Sequence, residues 1–591
     1  MNNRYQAPQG GKYETRELKD LRELITSGAE LYGDKEAFLV KKAKGGEYFD
    51  ISYNTLRDDI NALGTALIDM GLEGEKIAVI GSNSYQWVVA YFAVANGAGV
   101  VVPLDKELKA DEIENLVQTA GCKAIFYSKE FTKAVDDIDV EYKFLINSYE
   151  VDDDKNNPQS CRALIEKGKE LVENGDLKYI DKELDAEIMS VILFTSGTTG
   201  TPKGVMLSHK NMVTVVKGIS GYVDLFPEDV FLSVLPIHHT FESSMSIMTV
   251  LYQGASTAFY EGLKYILKNI QESKASAVIG VPLIMESLYN RIWAQAKKTK
   301  KDKLLKVAIK ANKAALAIGV DKRRSIFKAV YSNFGGDLRF VFSGAAALNP
   351  STLRGFLDLG FDMVQGYGLT ECAPVVAATP MWENIYGHAG SCGKVLPGGE
   401  LKIFEPDDQN IGEICYRGDN IMLGYYNMPE ETAEVIKDGW FHTGDLGFID
   451  PDGWLYITGR KKNVIVTKTG KNIYPEELES KVNLDELIIE GMVFPMEEGD
   501  GDTEVWAQIF PDYEKFKEEL GIDIFEDGIS VEEKEKRADE IFEIIDEKIK
   551  EINMKLAVYK RIKKVIIREE DFIRTTTKKI KRKETIEEYS N

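Results

Sequence analysis

Apolar residues along the chain recur in two alternating patterns. Between short apolar runs, apolar side chains spaced three or four residues apart predict amphipathic helices, as at Ile60, Leu63 and Leu67. The runs themselves have the length of buried strands and fall at 76–81, 124–127, 143–146, 191–194, 230–236, 277–282 and 340–343. Strands that alternate with helices in this way predict a parallel α/β sheet.

The pattern changes beyond residue 460. Short strands are expected near 491–494 and 504–509, and Ile541, Ile545 and Ile549 mark a long acidic amphipathic helix. A chain of 591 residues is also too long for one hydrophobic core. We therefore expect an α/β fold with a large N-terminal α/β domain of several sheet-based subdomains and a small mobile α+β C-terminal domain. The two domains are expected at residues 1–459 and 460–591.

Composition refines this picture only slightly. The chain is 44% hydrophobic and 29% charged, as in ordinary soluble globular proteins, and its net charge of −23 argues against a nucleic-acid partner. Five cysteines without paired metal spacing suit a reducing cytoplasm, which is the expected location. The first residues lack an apolar core, so we expect no signal peptide. The apolar window 87–104 is interrupted by Asn96, Gly97 and Gly99, which predicts a buried helix and strand rather than a membrane span.

A loop of small and hydroxyl-bearing residues follows the run 191–194. It contains Thr195, Ser196, Gly197, Thr198, Thr199, Gly200, Lys203 and Gly204. Glycines let the backbone approach a ligand closely, and successive N–H groups form an anion-binding concavity to which the Lys203 ammonium adds a charge. The spacing differs from that of the P-loop of nucleotide hydrolases. The alternative is an ordinary surface loop, but the strand before it and the Pro-Lys-Gly after it favour binding of a polyphosphate.

This run closely resembles the signature phosphate loop of the adenylate-forming superfamily, which includes acyl-CoA synthetases, peptide-synthetase adenylation domains and firefly-type luciferases. The stretch 366–371, Gly-Tyr-Gly-Leu-Thr-Glu, is similar to the fifth core motif of that family. The stretch 340–348 resembles its segment beside the adenine, which includes Gly344 and Ala345. A tyrosine between glycines is by itself usually a packed turn residue, so this motif depends on the first.

The resemblance implies roles for individual residues. Tyr367, next to Gly366, would stack on adenine, and Thr370 would face the α-phosphate. Glu371 and Thr195 would hold Mg²⁺, whose preferred ligands are hard oxygens. In the stretch 442–445, His-Thr-Gly-Asp, Asp445 would accept the ribose hydroxyls with help from Arg460, and Lys462 matches the hinge. Without the family, an ordinary turn aspartate and a surface arginine are the simpler interpretation.

The resemblance also implies a catalytic lysine and a residue that closes the acyl pocket. Near the C-terminus, 575–580 resembles the last motif of the family, and Lys579 matches its catalytic lysine. Lys578 stands where relatives often have glycine or an apolar residue, so either lysine remains a candidate. His239, in a Leu-Pro-x-x-His-x-Phe-Glu pattern, matches the residue that closes the acyl pocket in long-chain acyl-CoA synthetases. A satisfied structural histidine is the alternative.

Taken together, the motifs imply a long-chain fatty acid–CoA ligase. The catalytic residues would be Lys579, Glu371, His239 and Lys203. The fatty acid would be activated with ATP and Mg²⁺ through an acyl-adenylate and transferred to the thiol of CoA, releasing AMP and pyrophosphate. Two alternatives stay open: loading of an acyl carrier protein, and a non-catalytic nucleotide- or acyl-binding protein. Nothing in the sequence predicts the oligomeric state.

The segment 291–328 is unusually basic. It holds thirteen basic residues against Asp302 and Asp321, and an apolar helical face is expected at 304–316. A basic amphipathic helix can lie on anionic lipid or meet an acidic partner. Three interpretations follow: peripheral contact with the inner face of a membrane, contact with an acyl carrier protein, and an ordinary solvated face.

Overall fold

The computed structural model describes residues 4–6, 11–146, 157–195, 202–467, 471–497, 503–574 and 580–590. The chain divides into two compact units. The first comprises Met1–Lys402, Cys415–His442 and Ile449–Leu455; the second comprises Ile403–Ile414, Thr443–Phe448 and Tyr456–Asn591. The first unit is α/β and the second, smaller one is α+β, so the expected fold class is confirmed.

One sheet of the first unit has nine strands. From edge to edge these are Lys394–Val395, Val375–Ala378, Asp362–Gly368, Phe340–Ser343, Ala277–Gly280, Val230–Ser233, Ser256–Phe259, Glu36–Lys41 and Tyr48–Ser52. The six central strands, from Asp362–Gly368 to Glu36–Lys41, are parallel, and the edge pairs are antiparallel. Parallel strands are covered on both faces, which is why they read as continuous apolar runs in the sequence.

The second large sheet of this unit has seven strands. In order they are Gly424–Tyr425, Lys203–Ser208, Met189–Thr195, Gly99–Leu104, Glu75–Ile80, Ala124–Ser128 and Tyr142–Ile146. The last five are parallel, whereas Lys203–Ser208 pairs antiparallel with both of its neighbours. The hairpin made with Met189–Thr195 carries the loop whose sequence predicts phosphate binding.

Helices cover these sheets. Those of the first unit are Leu21–Tyr32, Tyr53–Asp69, Tyr85–Ala93, Ala110–Ala120, Thr132–Asp136, Cys161–Glu173, Lys178–Asp181, His209–Ser220, Thr240–Glu242, Thr249–Tyr252, Ile266–Ser273, Pro282–Lys298, Asp302–Ala317, Arg323–Ile326, Lys328–Ser332, Pro350–Asp358 and Pro429–Val435. The window 87–104 is a buried helix followed by the strand Gly99–Leu104, as predicted. Within the described residues, no helix is both long and apolar enough to cross a membrane.

The second unit is built around a three-stranded sheet of Ile488–Glu497, Thr503–Pro511 and Lys564–Ile567. A small pair, Ile465–Val466 and Asn472–Ile473, precedes it. Its helices are Pro475–Val482, Tyr513–Lys515, Val531–Met554 and Arg582–Ser590. The predicted acidic amphipathic helix is Val531–Met554, whose buried face includes Ile541, Ile545 and Ile549. Six further strands have residues distributed over the two units; they are Arg4–Gln6, Glu400–Phe404, Gly412–Arg417, Ile436–Lys437, Trp440–Ile449 and Leu455–Arg460.

Candidate active site

The two large sheets of the first unit meet at the carboxyl ends of their parallel strands. Asn83, just after strand Glu75–Ile80, donates to Ser233 Oγ at 2.9 Å and to the Leu235 carbonyl at 2.7 Å. His238 Nε2 lies 3.7 Å from Asp105 Oδ2, at the end of another strand. Ligands of open α/β sheets bind outside the carboxyl ends of the strands, so the crevice between these edges is the candidate site.

The expected phosphate loop leaves one of these edges. Its middle residues, Ser196, Gly197, Thr198, Thr199 and Gly200, lie outside the described residues. Its two ends are described: Thr195 pairs with Lys203, and Thr195 Oγ1 lies 3.4 Å from the Lys203 carbonyl oxygen. The hairpin therefore holds both ends of the loop at one place on the sheet.

Tyr425 contacts one residue from each of the two most specific motifs, the loop at 195–204 and the stretch 366–371. Its hydroxyl donates to Glu371 Oε1 at 2.9 Å, and the Lys203 Nζ lies 4.7 Å from the centre of its ring. An ammonium is attracted to the face of an aromatic ring. Burial and the nearby Glu371 carboxylate raise the pKa of Tyr425 above its ordinary value, so the hydroxyl stays a neutral donor. Lys203 and Glu371 are thus held beside the same side chain.

Nothing in the sequence pattern had pointed to Tyr425. It reaches the site because the short strand Gly424–Tyr425 pairs antiparallel with Lys203–Ser208, placing Tyr425 opposite Val205. Main-chain contacts continue the attachment: Met422 N donates to the Glu371 carbonyl at 2.8 Å. The available signal was a Gly-Tyr-Tyr run after an apolar stretch, which is too common to identify a site.

Gly344 and Ala345 follow the strand Phe340–Ser343 at the same carboxyl edge. A Cβ at Gly344 would lie 2.6 Å from Cζ of Phe241, so the position requires glycine for packing alone. Ala345 has φ +67°, a left-handed conformation that is costly for a residue with a side chain. Such strain is concentrated at functional sites, which agrees with the role expected for this turn.

The neighbouring strand Asp362–Gly368 carries the second motif. A Cβ at Gly366 would lie 3.0 Å from Cζ of Phe342, and Tyr367 is 8% exposed. Thr370 begins a short 3-10 turn and is also largely buried. Gly344 and Ala345 therefore follow the carboxyl end of one strand, and Gly366 and Tyr367 lie near the carboxyl end of the adjacent strand, as a shared site requires. The contact of Tyr367 with adenine stays a prediction.

His239 is the N-cap of the short helix Thr240–Glu242. Its Nδ1 accepts a hydrogen bond from the Phe241 amide at 3.4 Å, which is a structural function for this histidine. Glu242 is fully buried, and burial raises the pKa of its carboxyl to about 8, although hydrogen bonds from Ser233 and Ser246 oppose the rise. The role of His239 at the acyl pocket stays a prediction.

Three predicted residues lie together in the second unit. Asp445 is 4% exposed, and its Oδ1 accepts from Arg460 Nε at 2.7 Å. Partial desolvation and the positive charges of Arg460 and Arg582 lower the pKa of Lys462. Lys578 and Lys579 lie outside the described residues. The unit thus contains a buried carboxylate oriented by a guanidinium, a suitable acceptor for a vicinal diol.

The first unit is thus an α/β protein with a candidate ligand-binding crevice where two sheets meet at their carboxyl edges, and Lys203 and Glu371 are held there beside Tyr425. The chain belongs to the AMP-binding enzyme family, whose model matches residues 25–426. The fold class and the resemblance to the adenylate-forming superfamily are thereby confirmed.

Individual relatives agree with this assignment. Over 466 residues the chain is 32% identical to long chain acyl-CoA synthetase 6, peroxisomal, of Arabidopsis thaliana, covering 74% of this chain but only 65% of that protein. Over 580 residues it is 27% identical to long-chain-fatty-acid–CoA ligase FadD15 of Mycobacterium bovis, covering 94% of both. The crystal structure of the anthranilate CoA ligase AuaEII with anthranoyl-AMP has the same fold, with a TM-score of 0.73 at 19% identity over 98% of both chains.

Proposed function

We propose that this protein is a long-chain fatty acid–CoA ligase. In the first step a carboxylate oxygen of the acid attacks the α-phosphorus of ATP, forming the acyl-adenylate and releasing pyrophosphate. In the second step the thiolate of CoA attacks the acyl carbon, and AMP leaves. The names of the relatives, and the alignment over 94% of the Mycobacterium protein, support this choice of reaction.

The observation that carries the proposal is the shared contact of Lys203 and Glu371 with Tyr425. The attacking carboxylate and the triphosphate are both negative, so the enzyme must position them and neutralise their charge. We assign Lys203 and the loop at 195–204 to the β- and γ-phosphates. A cation-binding acid held beside a phosphate-binding lysine is what such a reaction needs, and a surface ion pair would not require a buried tyrosine between them.

The donor set at this place fits Mg²⁺. Glu371 is a carboxylate with one oxygen bonded to Tyr425, and Thr195 offers a hydroxyl at the end of its strand. Hard oxygen donors of this kind, together with phosphate oxygens and water, are the usual ligands of magnesium. Bound there, the cation would neutralise phosphate charge, and Tyr425 would keep the Glu371 carboxylate oriented.

The resemblance also assigns roles to residues of the second unit. We assign Asp445 to the ribose hydroxyls, with Arg460 as its orienting partner, and Lys462 to the hinge. Lys579 would bridge the acid carboxylate and the α-phosphate, with Lys578 as the alternative. We assign His239 to the acyl pocket in the first unit. CoA is the proposed acceptor; an acyl carrier protein thiol is the competing acceptor.

Pyrophosphate release tests the reaction directly. With ATP and Mg²⁺ present, we expect release to depend on added fatty acid, to rise with chain length into the long-chain range, and to be followed by acyl-CoA formation when CoA is added. If the acyl group is transferred to a carrier protein but not to CoA, the carrier-protein thiol is the acceptor instead of CoA. If the protein binds ATP but releases no pyrophosphate in response to fatty acid, it is a binding protein and not a ligase.

Replacing Tyr425 by phenylalanine tests the central contact. The change removes the hydrogen bond to a charged group while keeping the ring beside Lys203, and such bonds contribute about 1.5–3 kcal/mol. We expect kcat for pyrophosphate release to fall about ten- to hundredfold, with an increased requirement for Mg²⁺. The matched control is Tyr426→Phe. The Tyr426 hydroxyl lies 3.5 Å from the Ala120 carbonyl oxygen, and its removal is expected to leave the activity unchanged. Equal activity of the two variants would remove Tyr425 from the site.

A further inference from the structure

The outward face of the helix Asp302–Ala317 is apolar where a surface helix is ordinarily polar. Leu304 is 64% exposed, Val307 62%, and Ile318, directly after the helix, 78%. The stripe is completed by the exposed residues Ala311 and Ala314. The five positions are separated by three, four, three and four residues, a spacing that places them on one line along the helix.

Contacts on another side of the helix fix this orientation. Asn312 is fully buried and its amide donates to the Asp358 carbonyl at 3.4 Å. Lys313 Nζ lies 2.9 Å from Asp358 Oδ2 and 2.9 Å from the Tyr386 hydroxyl. Because these residues hold the helix to Pro350–Asp358, the apolar stripe faces away from the body of the unit.

Lysines border the stripe. Lys303, Lys306 and Lys310 each precede a stripe residue by one position, and all three are exposed. Among the described residues none of the three forms a salt bridge. The surrounding segment 291–328 has thirteen basic residues against two acidic ones, in a chain whose net charge is −23. The charge on this face is therefore opposite in sign to that of the whole protein.

We infer that this face docks on an anionic lipid bilayer, with the stripe in the acyl–headgroup boundary and the lysines among the headgroups. Helices that lie in a membrane interface combine an apolar line with lysines on the polar side, and anionic lipids attract such lysines. The cores of protein–protein interfaces are instead rich in aromatic residues and poor in lysine and alanine. The exposed stripe holds no aromatic residue, and it contains two alanines beside three lysines.

The inference goes beyond the proposed ligase activity and rests on the exposure, the charge and the contacts of this helix and its surrounding segment. Combined with that activity, it would place the enzyme at the surface of the bilayer in which long-chain fatty acids are dissolved. The two proposals fail separately, because vesicle binding can be measured without ATP, fatty acid or CoA.

Vesicle flotation of the full chain tests the docking. We expect binding to vesicles of equal parts phosphatidylcholine and phosphatidylglycerol and little binding to pure phosphatidylcholine. The variant Leu304→Gln/Val307→Gln/Ile318→Gln keeps every charge and is expected to bind at least tenfold more weakly. Its matched control is Leu177→Gln/Ile188→Gln, which changes exposed apolar residues elsewhere in the same unit and should leave binding unchanged. Equal unfolding temperatures of the variants would establish that folding is retained.

The lysines are tested in the same way. Lys303→Gln/Lys306→Gln/Lys310→Gln is expected to weaken binding severalfold, and added salt should do the same to the unchanged protein. The control, Lys129→Gln/Lys264→Gln/Lys437→Gln, removes the same charge from exposed positions elsewhere in the unit.

Insertion itself can be observed at position 307. The five natural cysteines are buried, so Val307→Cys can be labelled selectively with an environment-sensitive fluorophore. We expect a blue shift on adding anionic vesicles, and none for a label at Lys264→Cys. An apolar triple variant that floats like the unchanged protein, or a label at 307 that stays in water, would overturn the inference. Loss of binding in the lysine variant alone would do so too, because it would indicate purely electrostatic attraction to the headgroups, without insertion of the apolar stripe.

Discussion

Glu371→Gln is expected to reduce fatty-acid-dependent pyrophosphate release by about 10²- to 10³-fold, the range seen when one preorganised electrostatic group is removed from an active site. The substitution keeps the size of the side chain and an oxygen for the Tyr425 hydroxyl, but it removes the negative charge that would hold the cation. Release is measured at saturating ATP and acid over a series of Mg²⁺ concentrations. Higher Mg²⁺ should recover part of the rate if the loss is in cation binding.

The control for this substitution is Glu187→Gln. Glu187 pairs with Lys210 at 3.0 Å and is 65% exposed, so the same chemical change there should alter the rate less than twofold. Comparable rates for Glu371→Gln and the control would remove Glu371 from the catalytic residues. Both variants should unfold at the temperature of the unchanged protein, since neither change leaves a buried charge unpaired.

The second large effect is expected on stability, from Lys41→Met. Lys41 Nζ lies 2.7 Å from Glu261 Oε2 and 2.8 Å from Glu272 Oε2, and the Lys41 and Glu261 side chains are only 2% and 3% exposed. Asn269 also donates to Glu261 at 2.8 Å. Removing the ammonium leaves a buried carboxylate uncompensated, which costs about 3–5 kcal/mol. Urea unfolding followed by circular dichroism measures the change.

A surface pair supplies the comparison. Lys167 and Asp69 lie 2.6 Å apart but are 46% and 37% exposed, so Lys167→Met should cost less than about 1 kcal/mol. The double variant Lys41→Met/Glu261→Gln should recover much of the lost stability, because no buried charge remains. Equal costs for Lys41→Met and Lys167→Met would show that the buried network contributes nothing beyond a surface pair.

The same network gives stability a defined dependence on pH. Burial opposes ionisation of Glu261, but hydrogen bonds from Lys41, the Gly45 amide and Asn269 outweigh it and lower its pKa to about 2. A carboxyl with a depressed folded-state pKa stabilises the protein above its unfolded pKa, near 4.3, and loses that contribution as the pH falls towards 2. In the Glu261→Gln variant, the free energy of unfolding should therefore fall less as the pH decreases from about 4.3 towards 2.

Much of the fold could be predicted because its signals are local. A parallel strand buried on both faces must be apolar along its whole length, and Ser208 caps the helix His209–Ser220 through its own hydroxyl, which accepts from the Asn211 amide at 3.2 Å. Two strands were predicted too long. The run 277–282 forms a strand only at Ala277–Gly280, because the helix Pro282–Lys298 begins two residues later. The run 230–236 forms a strand only at Val230–Ser233, since Asn83 accepts from the Ile237 amide at 3.1 Å and binds the Leu235 carbonyl, holding this stretch outside the sheet.

At the basic segment, helical periodicity did not predict which apolar residues are buried. The sequence predicted one apolar face at 304–316, but Leu304 is exposed, whereas Leu305 and Ile309 are half-buried. Periodicity shows that a helix has apolar positions, but the neighbours decide which of them are covered. Here Asn312 and Lys313 attach the helix to Asp358, and Leu304 is left outside.

The sequence by itself determined most of the strands and helices, and it located the loop at 195–204 and the motifs at 366–371 and 442–445, because each depends on residues close together in the chain. The tertiary structure alone decided that Tyr425 bonds to Glu371, 54 positions away, and that Lys41 meets Glu261, 220 positions away. Such contacts depend on which strands pair and in what register. No local pattern encodes that choice, since it follows from how the apolar faces of the whole chain are buried together.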